Sequence, residues 1–155
     1  MSFMSNVPAK NGEYVPINED KYIGKNLPKC RSSWERLFCN WLDNNPAVIN
    51  WSSEIMHIEY FDPVKRKKRR YYPDFLMKIE DKQGKLITYL VEIKPYKESH
   101  PPRADRRKTK KTRMIEETKW MTNNAKFEAA KKYCRQKGWI FKIITEKQLF
   151  KGGKP

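Results

Sequence analysis

The chain has 155 residues, of which 34 are Lys or Arg and 18 are Asp or Glu, so its formal net charge is +16 at pH 7. This length suits one domain with a buried core, and the charge predicts a nucleic-acid partner ahead of an anionic membrane, because basic side chains neutralise phosphates. The composition argues against a spanning helix, which needs roughly 20 apolar residues, and three cysteines without CxxC or Cys/His spacing argue against a zinc site or a disulfide framework.

The N-terminal part of the chain predicts an extended arm followed by a helix. Residues 1–28 carry three prolines and no sustained periodicity, so we expect them to form an arm over a single domain of residues 29–155. Ser32 and Glu35 match the capping-box pattern that begins a helix, and Asn44-Asn45-Pro46 ends it. Glu35 falls at the border of the apolar stripe of this helix, where its carboxylate could face a site at the edge of the core.

Strand-like segments occupy the middle of the chain. Residues 48–51 and 54–61 are rich in β-branched and aromatic side chains, and another strand is predicted to begin at Tyr71. The stretch 81–84 has the composition of a tight hairpin turn, and Pro95 ends the returning strand because proline lacks a backbone donor.

The last third of the chain predicts two helices, a strand and a short capped helix. Helical spacing runs through Met114, and a further helix is predicted from about Asn123 to Gly138, a residue suited to the left-handed position after a helix. A strand is predicted at 139–144, and Thr145 followed three residues later by a glutamine begins the final helix.

Two acids and a lysine on neighbouring strands indicate a catalytic site. Side chains alternate along a strand, so Glu92 and Lys94 share one face, and Asp74 lies on the matching face of the preceding strand. Two carboxylates on rigid strand ends suit a hard cation such as Mg²⁺ or Mn²⁺, and a nearby lysine can help to deprotonate water or hold phosphate charge. The alternative is a solvent-facing hairpin with cross-strand charge pairs.

These residues carry a resemblance to a nuclease superfamily. Residues 72–75 (YPDF) followed by 91–95 (VEIKP) resemble the PD-(D/E)xK signature of restriction-endonuclease-like folds. Residues 31–35 (RSSWE) resemble the first-helix motif of TnsA-type transposon-end endonucleases and of the head-completion nucleases of large tailed phages. The similarity to the phage group runs from about residue 22 to 149 and includes 51–54, 124–126 and 138–139.

The resemblance implies an α/β architecture (an α+β mixed sheet), a restriction-endonuclease-like core with helices on both faces. It implies that Asp74, Glu92 and the backbone carbonyl of Ile93 bind the metal. It also implies that Lys94 is the catalytic lysine and that Glu35 completes the acidic group. Glu54 is a weaker candidate, since it precedes a strand and could be a solvated residue or a group that supports the residues of the site from behind.

Two basic runs flank this site in sequence and are predicted to bind phosphates near the same end of the hairpin. Tyr71, Tyr72 and Tyr96 could pack on sugar or base, and no recognition-helix pattern is present, so low sequence specificity is expected. Asn124 and Lys126 are predicted at a helix N-terminus, a position that also suits phosphate binding. The full predicted DNA-binding set is Lys65, Arg66, Lys67, Lys68, Arg69, Arg70, Arg106, Arg107, Lys108, Lys110, Lys111, Asn124 and Lys126.

The function that the resemblance implies is metal-dependent hydrolysis of double-stranded DNA during phage head completion and head–tail joining. Head and portal proteins would be partners, and the host cytoplasm and the virion would be the locations. A completion factor that only binds DNA or the portal is one alternative. A TnsA-like strand-cleaving transposase subunit and a four-way-junction resolvase are the others; the first of these should be silent without its partner.

Overall fold

A computed structural model describes residues 12–150 of the chain, and within them two sheets and three α-helices carry the fold. In chain order these elements are α1 (Ser33–Asn44), β1 (Val48–Ser53), β2 (Ile58–Asp62), β3 (Lys67–Tyr71), β4 (Phe75–Glu80), β5 (Leu86–Ile93), α2 (Lys110–Lys137), β6 (Ile140–Ile144) and α3 (Glu146–Leu149). None of the helices in this part of the chain is both long and apolar enough to cross a membrane.

The main sheet has four strands in the order β1-β4-β5-β6, and β2 and β3 form a separate hairpin. β1, β4 and β5 are antiparallel neighbours, whereas β6 joins β5 in parallel after the long crossover that contains α2. The predicted turn between β4 and β5 is confirmed: the Asp81 carboxylate accepts hydrogen bonds from the backbone N–H groups of Gln83 (2.9 Å) and Lys85 (2.8 Å). Gly84 adopts a φ of 80°, which suits a residue without a side chain.

One face of the main sheet packs against α1. Phe38, Cys39 and Leu42 of the helix join a buried cluster with Trp51 of β1 and Phe75 of β4. Ser32 begins α1 as predicted, since its side chain accepts a hydrogen bond from the Glu35 N–H. The three cysteines are free thiols, as expected from their spacing.

The opposite face is covered by α2 together with the β2–β3 hairpin. Leu90 of β5 is buried with Ala130 and Cys134 of α2 and with Tyr60 and Tyr71 of the hairpin. Both faces of the sheet are therefore covered by helices, which confirms the predicted mixed-sheet, restriction-endonuclease-like architecture.

The segment before α1 packs on the core through buried tyrosines and one buried acid. Tyr14 and Tyr22 belong to the α1-side cluster, and the Tyr14 hydroxyl donates a 2.7 Å hydrogen bond to Asp43. Asp43 also accepts from the backbone N–H groups of Ile17 (2.7 Å) and Asn18 (2.9 Å). Residues 1–11 of the arm predicted at 1–28 lie outside the described residues. The boundary between the arm and the domain at residue 28 stays a prediction.

Two secondary-structure predictions are wrong. The strand expected from Tyr71 ends there, and the second part of the basic run forms β3. Pairing with β2 allows this, because alternate cations of β3, Lys68 and Arg70, lie on the exposed face of the hairpin. The two helices expected after residue 113 are one helix of 28 residues, which ends as predicted at Gly138 (φ 73°). Asn123 does not interrupt it, since a helix-propensity penalty below about 1 kcal/mol is small beside the burial of Asn123 itself and of Phe127, Ala130 and Cys134 after it.

Candidate active site

The strand register places the two predicted acids side by side. Phe75 of β4 pairs with Val91 of β5, so Asp74 and Glu92 are the next opposed positions of the antiparallel ladder. The Ile93 backbone N–H donates a 2.8 Å hydrogen bond to Asp74 Oδ2, which orients that carboxylate and brings the Ile93 main chain beside it. The two acids share the sheet face that α2 and the hairpin cover, on the side opposite to Phe75 and Val91.

The carboxylate pair is buried and strongly perturbed. Glu92 is 6% exposed, and its Oε1 has no hydrogen-bond partner among residues 12–150, so the alternative of a solvent-facing charge pair is wrong. Burial, and then the charge of Glu92, raise the pKa of Asp74 to about 8, with a smaller contribution from Glu35. Burial also raises the pKa of Glu92, although Lys94 and Lys126 act in the opposite direction.

Lys94 lies beside the acids, as predicted. Its Nζ is 3.8 Å from Glu92 Oε2, and its backbone N–H donates a 3.0 Å hydrogen bond to the Ile144 carbonyl of β6. The main chain of this lysine is therefore fixed by the parallel strand while its amine remains next to the carboxylate.

A second lysine, Lys126, reaches the same place from α2. Its Nζ lies 5.9 Å from the ring centre of Tyr60 and 5.8 Å from that of Tyr71. Burial lowers the pKa of Lys126 and the positive charges of Lys94 and Arg69 lower it further, whereas Glu92 raises it. Two amines and two carboxylates thus converge at one end of the sheet.

The position of Lys126 corrects the prediction for Asn124 and Lys126 at a helix N-terminus. Both residues lie in the interior of α2, where no free N–H groups face a phosphate, and Asn124 is exposed. The sequence therefore selects Lys126 as a candidate DNA-binding residue, but the reason given, a position at a helix N-terminus, is wrong. If residues 110–137 are read as one helix, the spacing of Asn123, Lys126 and Ala130 places Lys126 on the buried face, and this signal is present in the sequence.

The prediction that Tyr71 is available to DNA is wrong. Its side chain is buried in the α2-side cluster, and its hydroxyl has no hydrogen-bond partner among residues 12–150. Burial, and then the charges of Glu92 and Asp74, raise the pKa of this hydroxyl. Tyr71 is thus a neutral neighbour of the carboxylates. Tyr72, the next residue, is half-exposed and remains available.

Glu35 makes the local contacts of a helix cap and still influences the site. Its carboxylate accepts hydrogen bonds from the Arg31 N–H (3.2 Å) and from the Ser32 hydroxyl (3.4 Å). Its charge is close enough to raise the pKa of Asp74. The structure therefore places Glu35 at the periphery of the acidic pair.

Glu54 is held away from the carboxylate pair by an ion pair with Arg31. Its backbone adopts a φ of 46°, and its N–H donates a 3.1 Å hydrogen bond to the Asp74 carbonyl. Glu54 thus supports the main chain of Asp74, while its side chain binds the residue that begins the α1 motif.

The first basic run covers the β2–β3 hairpin. Lys65, Arg66, Lys67, Lys68 and Arg70 are exposed, whereas Arg69 is half-buried. The Arg69 guanidinium donates a 3.1 Å hydrogen bond to the fully buried carboxylate of Asp62. Burial raises the pKa of Asp62, but hydrogen bonds from the Lys65 and Val64 N–H groups and from Arg69 outweigh it and leave the pKa below its ordinary value.

The second basic run leads into the N-terminal end of α2. Lys108 pairs with Glu116 at 2.9 Å and Arg107 pairs with Asp105 at 3.1 Å. Among the described residues, Arg106, Lys110 and Lys111 have no ion-pair partner, and all three are exposed. These cations are therefore available to an external anion.

The donor set fits a magnesium-type cation. Within residues 12–150, no group of three or more His, Cys, Asp and Glu side chains is arranged to hold a metal ion. Asp74 and Glu92 alone match the one or two carboxylates that Mg²⁺ uses when water and phosphate fill its other positions. A divalent cation would also relieve the repulsion between two adjacent carboxylates and supply a partner for Glu92 Oε1.

The fold and the site define a nuclease-like protein of the restriction-endonuclease-like class. The chain belongs to the family of TnsA-like endonuclease N-terminal domains, whose model matches residues 45–146. It is 42% identical to the head completion nuclease of Enterobacteria phage T4 over 154 residues, which cover 93% of this chain and 99% of the relative. No solved structure matches the chain significantly.

Proposed function

We propose that this protein is a metal-dependent deoxyribonuclease that hydrolyses DNA phosphodiester bonds with low sequence specificity. The observation that carries the proposal is the buried pair Asp74–Glu92 with Lys94 and Lys126 beside it. Burying like charges at one point is unfavourable for folding, and strongly perturbed ionisable groups are typical of catalytic sites.

Mg²⁺ or Mn²⁺ is the proposed cofactor. Asp74 and Glu92 would hold it through their carboxylates, and the Ile93 carbonyl is the proposed third protein ligand, since its main chain is already beside Asp74. When bound, such a cation lowers the pKa of a coordinated water and polarises the scissile phosphate.

The lysines have distinct proposed roles. Lys94, 3.8 Å from Glu92, is proposed to accept a proton from the attacking water or to stabilise charge on the phosphate. Lys126 is half-buried, with its amine near the Tyr60 and Tyr71 rings, and is proposed to contact the same phosphate from α2. Glu35 tunes the acids through its charge, with its position fixed by the helix cap.

DNA binding is proposed to rest on backbone contacts from the two basic runs. The hairpin run is presented on a paired β-ribbon anchored by the buried Asp62, so its cations have defined positions. Lys and Arg neutralise phosphates without reading bases, and low sequence preference follows.

We further propose that the protein acts in phage head completion and head–tail joining, on packaged double-stranded DNA and together with head or portal proteins. The name of the T4 relative and its near-complete coverage support this role. The host cytoplasm and the virion are the corresponding proposed locations. Endonuclease action is favoured over exonuclease action by the description of the family.

The test is incubation of supercoiled plasmid and linear duplex with purified protein and Mg²⁺, Mn²⁺ or EDTA. Asp74→Asn removes one carboxylate charge at the site, and Glu80→Gln, at the exposed opposite end of β4, is the matched control. Metal-dependent cutting that is lost in Asp74→Asn and kept in Glu80→Gln supports the proposal. DNA binding without cutting under every metal condition would contradict it, and cutting only after a second protein is added would favour the transposase-like alternative.

A further inference from the structure

A cleft of about 750 Å³ lies between the segment that follows β5 and the N-terminal half of α2. It begins at Tyr96, two residues after Lys94, and on α2 it is bordered by Asn123, one helical turn before Lys126. Both walls therefore continue into the active site. The volume lies within the range of pockets that hold a small organic molecule and is large enough for one nucleotide.

Trp120 is partly buried and contributes its indole to one wall of the cleft. Tyr96, on the other wall, is already covered: Lys147 Nζ lies 3.5 Å from its ring centre, and the His100 ring lies 4.2 Å away. By contrast, no aromatic ring or cationic group within residues 12–150 is placed against the Trp120 ring. An indole that lines a cleft and has no aromatic or cationic partner there can stack on a flat ring that enters the cleft.

Asn123 supplies an unused polar group in the same cleft. Its side chain is only 5% exposed, and its Nδ2 has no hydrogen-bond partner among residues 12–150. Buried amides are normally paired, because an unpaired one loses its hydration without compensation. A ligand with ring nitrogens or carbonyl oxygens in the cleft would supply the missing partner.

The charges around the cleft favour an anionic ligand. Glu116 and Glu98 are paired with Lys108 at 2.9 Å and with Lys119 at 2.5 Å, respectively. The remaining cations of the cleft have no ion-pair partner in the described part of the chain; these are Lys97, Arg103 and Lys147. An aromatic face, a buried amide and unpaired cations together match a base, its polar edge and the adjoining phosphates.

We propose that this cleft receives one unpaired nucleotide of the DNA strand that is cut, with its base stacked on Trp120 and hydrogen-bonded to Asn123. This inference rests on the proposed nuclease function and adds a substrate class to it. A base paired in uninterrupted duplex cannot enter the cleft without being extruded, which costs unstacking and unpairing. The preferred substrate is therefore DNA with a frayed, mismatched or flapped nucleotide beside the cleavable phosphate.

The first experiment measures binding alone, with Asp74→Asn protein in EDTA so that no DNA is cut. A duplex with one unpaired 2-aminopurine is compared with the fully paired duplex of the same length. We expect at least about tenfold tighter binding to the unpaired site, together with a change in 2-aminopurine fluorescence, as base–aromatic stacking predicts. Equal affinities for the two duplexes would overturn the inference.

Variants then locate the effect. Trp120→Ala should abolish the preference and Trp120→Phe should restore most of it, whereas Trp41→Ala, which removes a part-exposed indole from α1, should leave it unchanged. Asn123→Leu removes a buried amide that lacks a partner, so we expect the protein to stay folded and the preference to fall. Loss of affinity for both DNAs in equal proportion would show that Trp120 serves folding and not base capture.

A cutting assay separates the inference from the function on which it rests. With wild-type protein and Mg²⁺, faster cutting beside the unpaired nucleotide than in the fully paired duplex supports both the nuclease function and the role of the cleft. Equal cutting of the two duplexes overturns the inference and leaves the nuclease standing. Failure to cut either DNA overturns the proposed function, and the binding comparison then decides the role of the cleft by itself.

Discussion

Neutralising Asp74 should make the metal-free protein more stable while it abolishes cutting. Burial and Glu92 raise the pKa of Asp74 to about 8, above its ordinary value of 3.8. Because the folded state then binds more protons than the unfolded state between these two values, stability is lost as the pH rises through this window. Asp74→Asn removes that penalty, and its amide oxygen can still accept from the Ile93 N–H.

The expected change in the free energy of unfolding follows from the raised pKa of Asp74. One proton corresponds to about 1.4 kcal/mol per pH unit, so relative to a neutral side chain Asp74 lowers the free energy of unfolding by about 4 kcal/mol at pH 7 and by about 2 kcal/mol at pH 5. Part of this cost is relieved by proton sharing with Glu92, and we expect Asp74→Asn to raise the free energy of unfolding at pH 7 by about 2–4 kcal/mol.

Urea unfolding in EDTA at pH 5, 6, 7 and 8 would measure this difference. The gain from Asp74→Asn should grow with pH, whereas Glu80→Gln, at an exposed position, should follow the wild type at every pH. Mg²⁺ should stabilise the wild type more than Asp74→Asn, because binding to the folded state alone adds stability. A variant that is less stable than the wild type at pH 7, or a gain that does not change with pH, would refute the electrostatic reasoning.

Three further predictions concern other parts of the chain. Glu35→Gln should reduce the rate of cutting severalfold while the helix cap is retained. Ser32→Ala should lower the free energy of unfolding by about 1 kcal/mol without changing the cutting rate per folded molecule. An unchanged rate for Glu35→Gln would show that Glu35 serves only the helix cap. Asp43→Ala should lower the melting temperature by about 6–12 °C, since the Tyr14 hydroxyl and two backbone N–H groups lose their acceptor at a cost of about 3 kcal/mol; a change below about 2 °C in a thermal scan would contradict this. The exposed cations of β3 and its turn can be replaced with Gln while Arg69 is retained, and DNA binding should then weaken equally for all sequences. The slope of log affinity against log salt concentration should become shallower by about one for each phosphate that is no longer neutralised. An unchanged slope in a salt titration would refute this prediction.

The central pair can be predicted from sequence because local rules determine it. Alternation along β5 places Glu92 and Lys94 on one face, and the tight turn at 81–84 aligns β4 with β5, so that Asp74 lies opposite Glu92. The start of α1 at Ser32 and the end of α2 at Gly138 follow equally from capping chemistry.

The contribution of Lys126 cannot be predicted in the same way. It depends on a helix packing across a sheet and on a hairpin whose tyrosine rings support the lysine, and both are long-range contacts. Strand β3 could not be predicted for a related reason. A run of six cations has no strand periodicity of its own, and part of it becomes a strand only because it pairs with β2. Tyr71 is buried because that pairing turns it toward α2.

The continuity of α2 would give the proposed DNA complex a fixed internal distance. The helix carries exposed cations at its first turn and Lys126 sixteen residues later, a separation of about 24 Å at 1.5 Å per residue. That length corresponds to about seven base steps of B-form DNA at 3.4 Å each. If the proposed contacts hold and the DNA runs along α2, a phosphate bound at the start of this uninterrupted helix lies at a set number of base pairs from the phosphate at Lys126. The distance between this bound phosphate and the cleavage site is then set by the length of one helix and not by the base sequence. The expected result is a cleavage footprint with constant spacing.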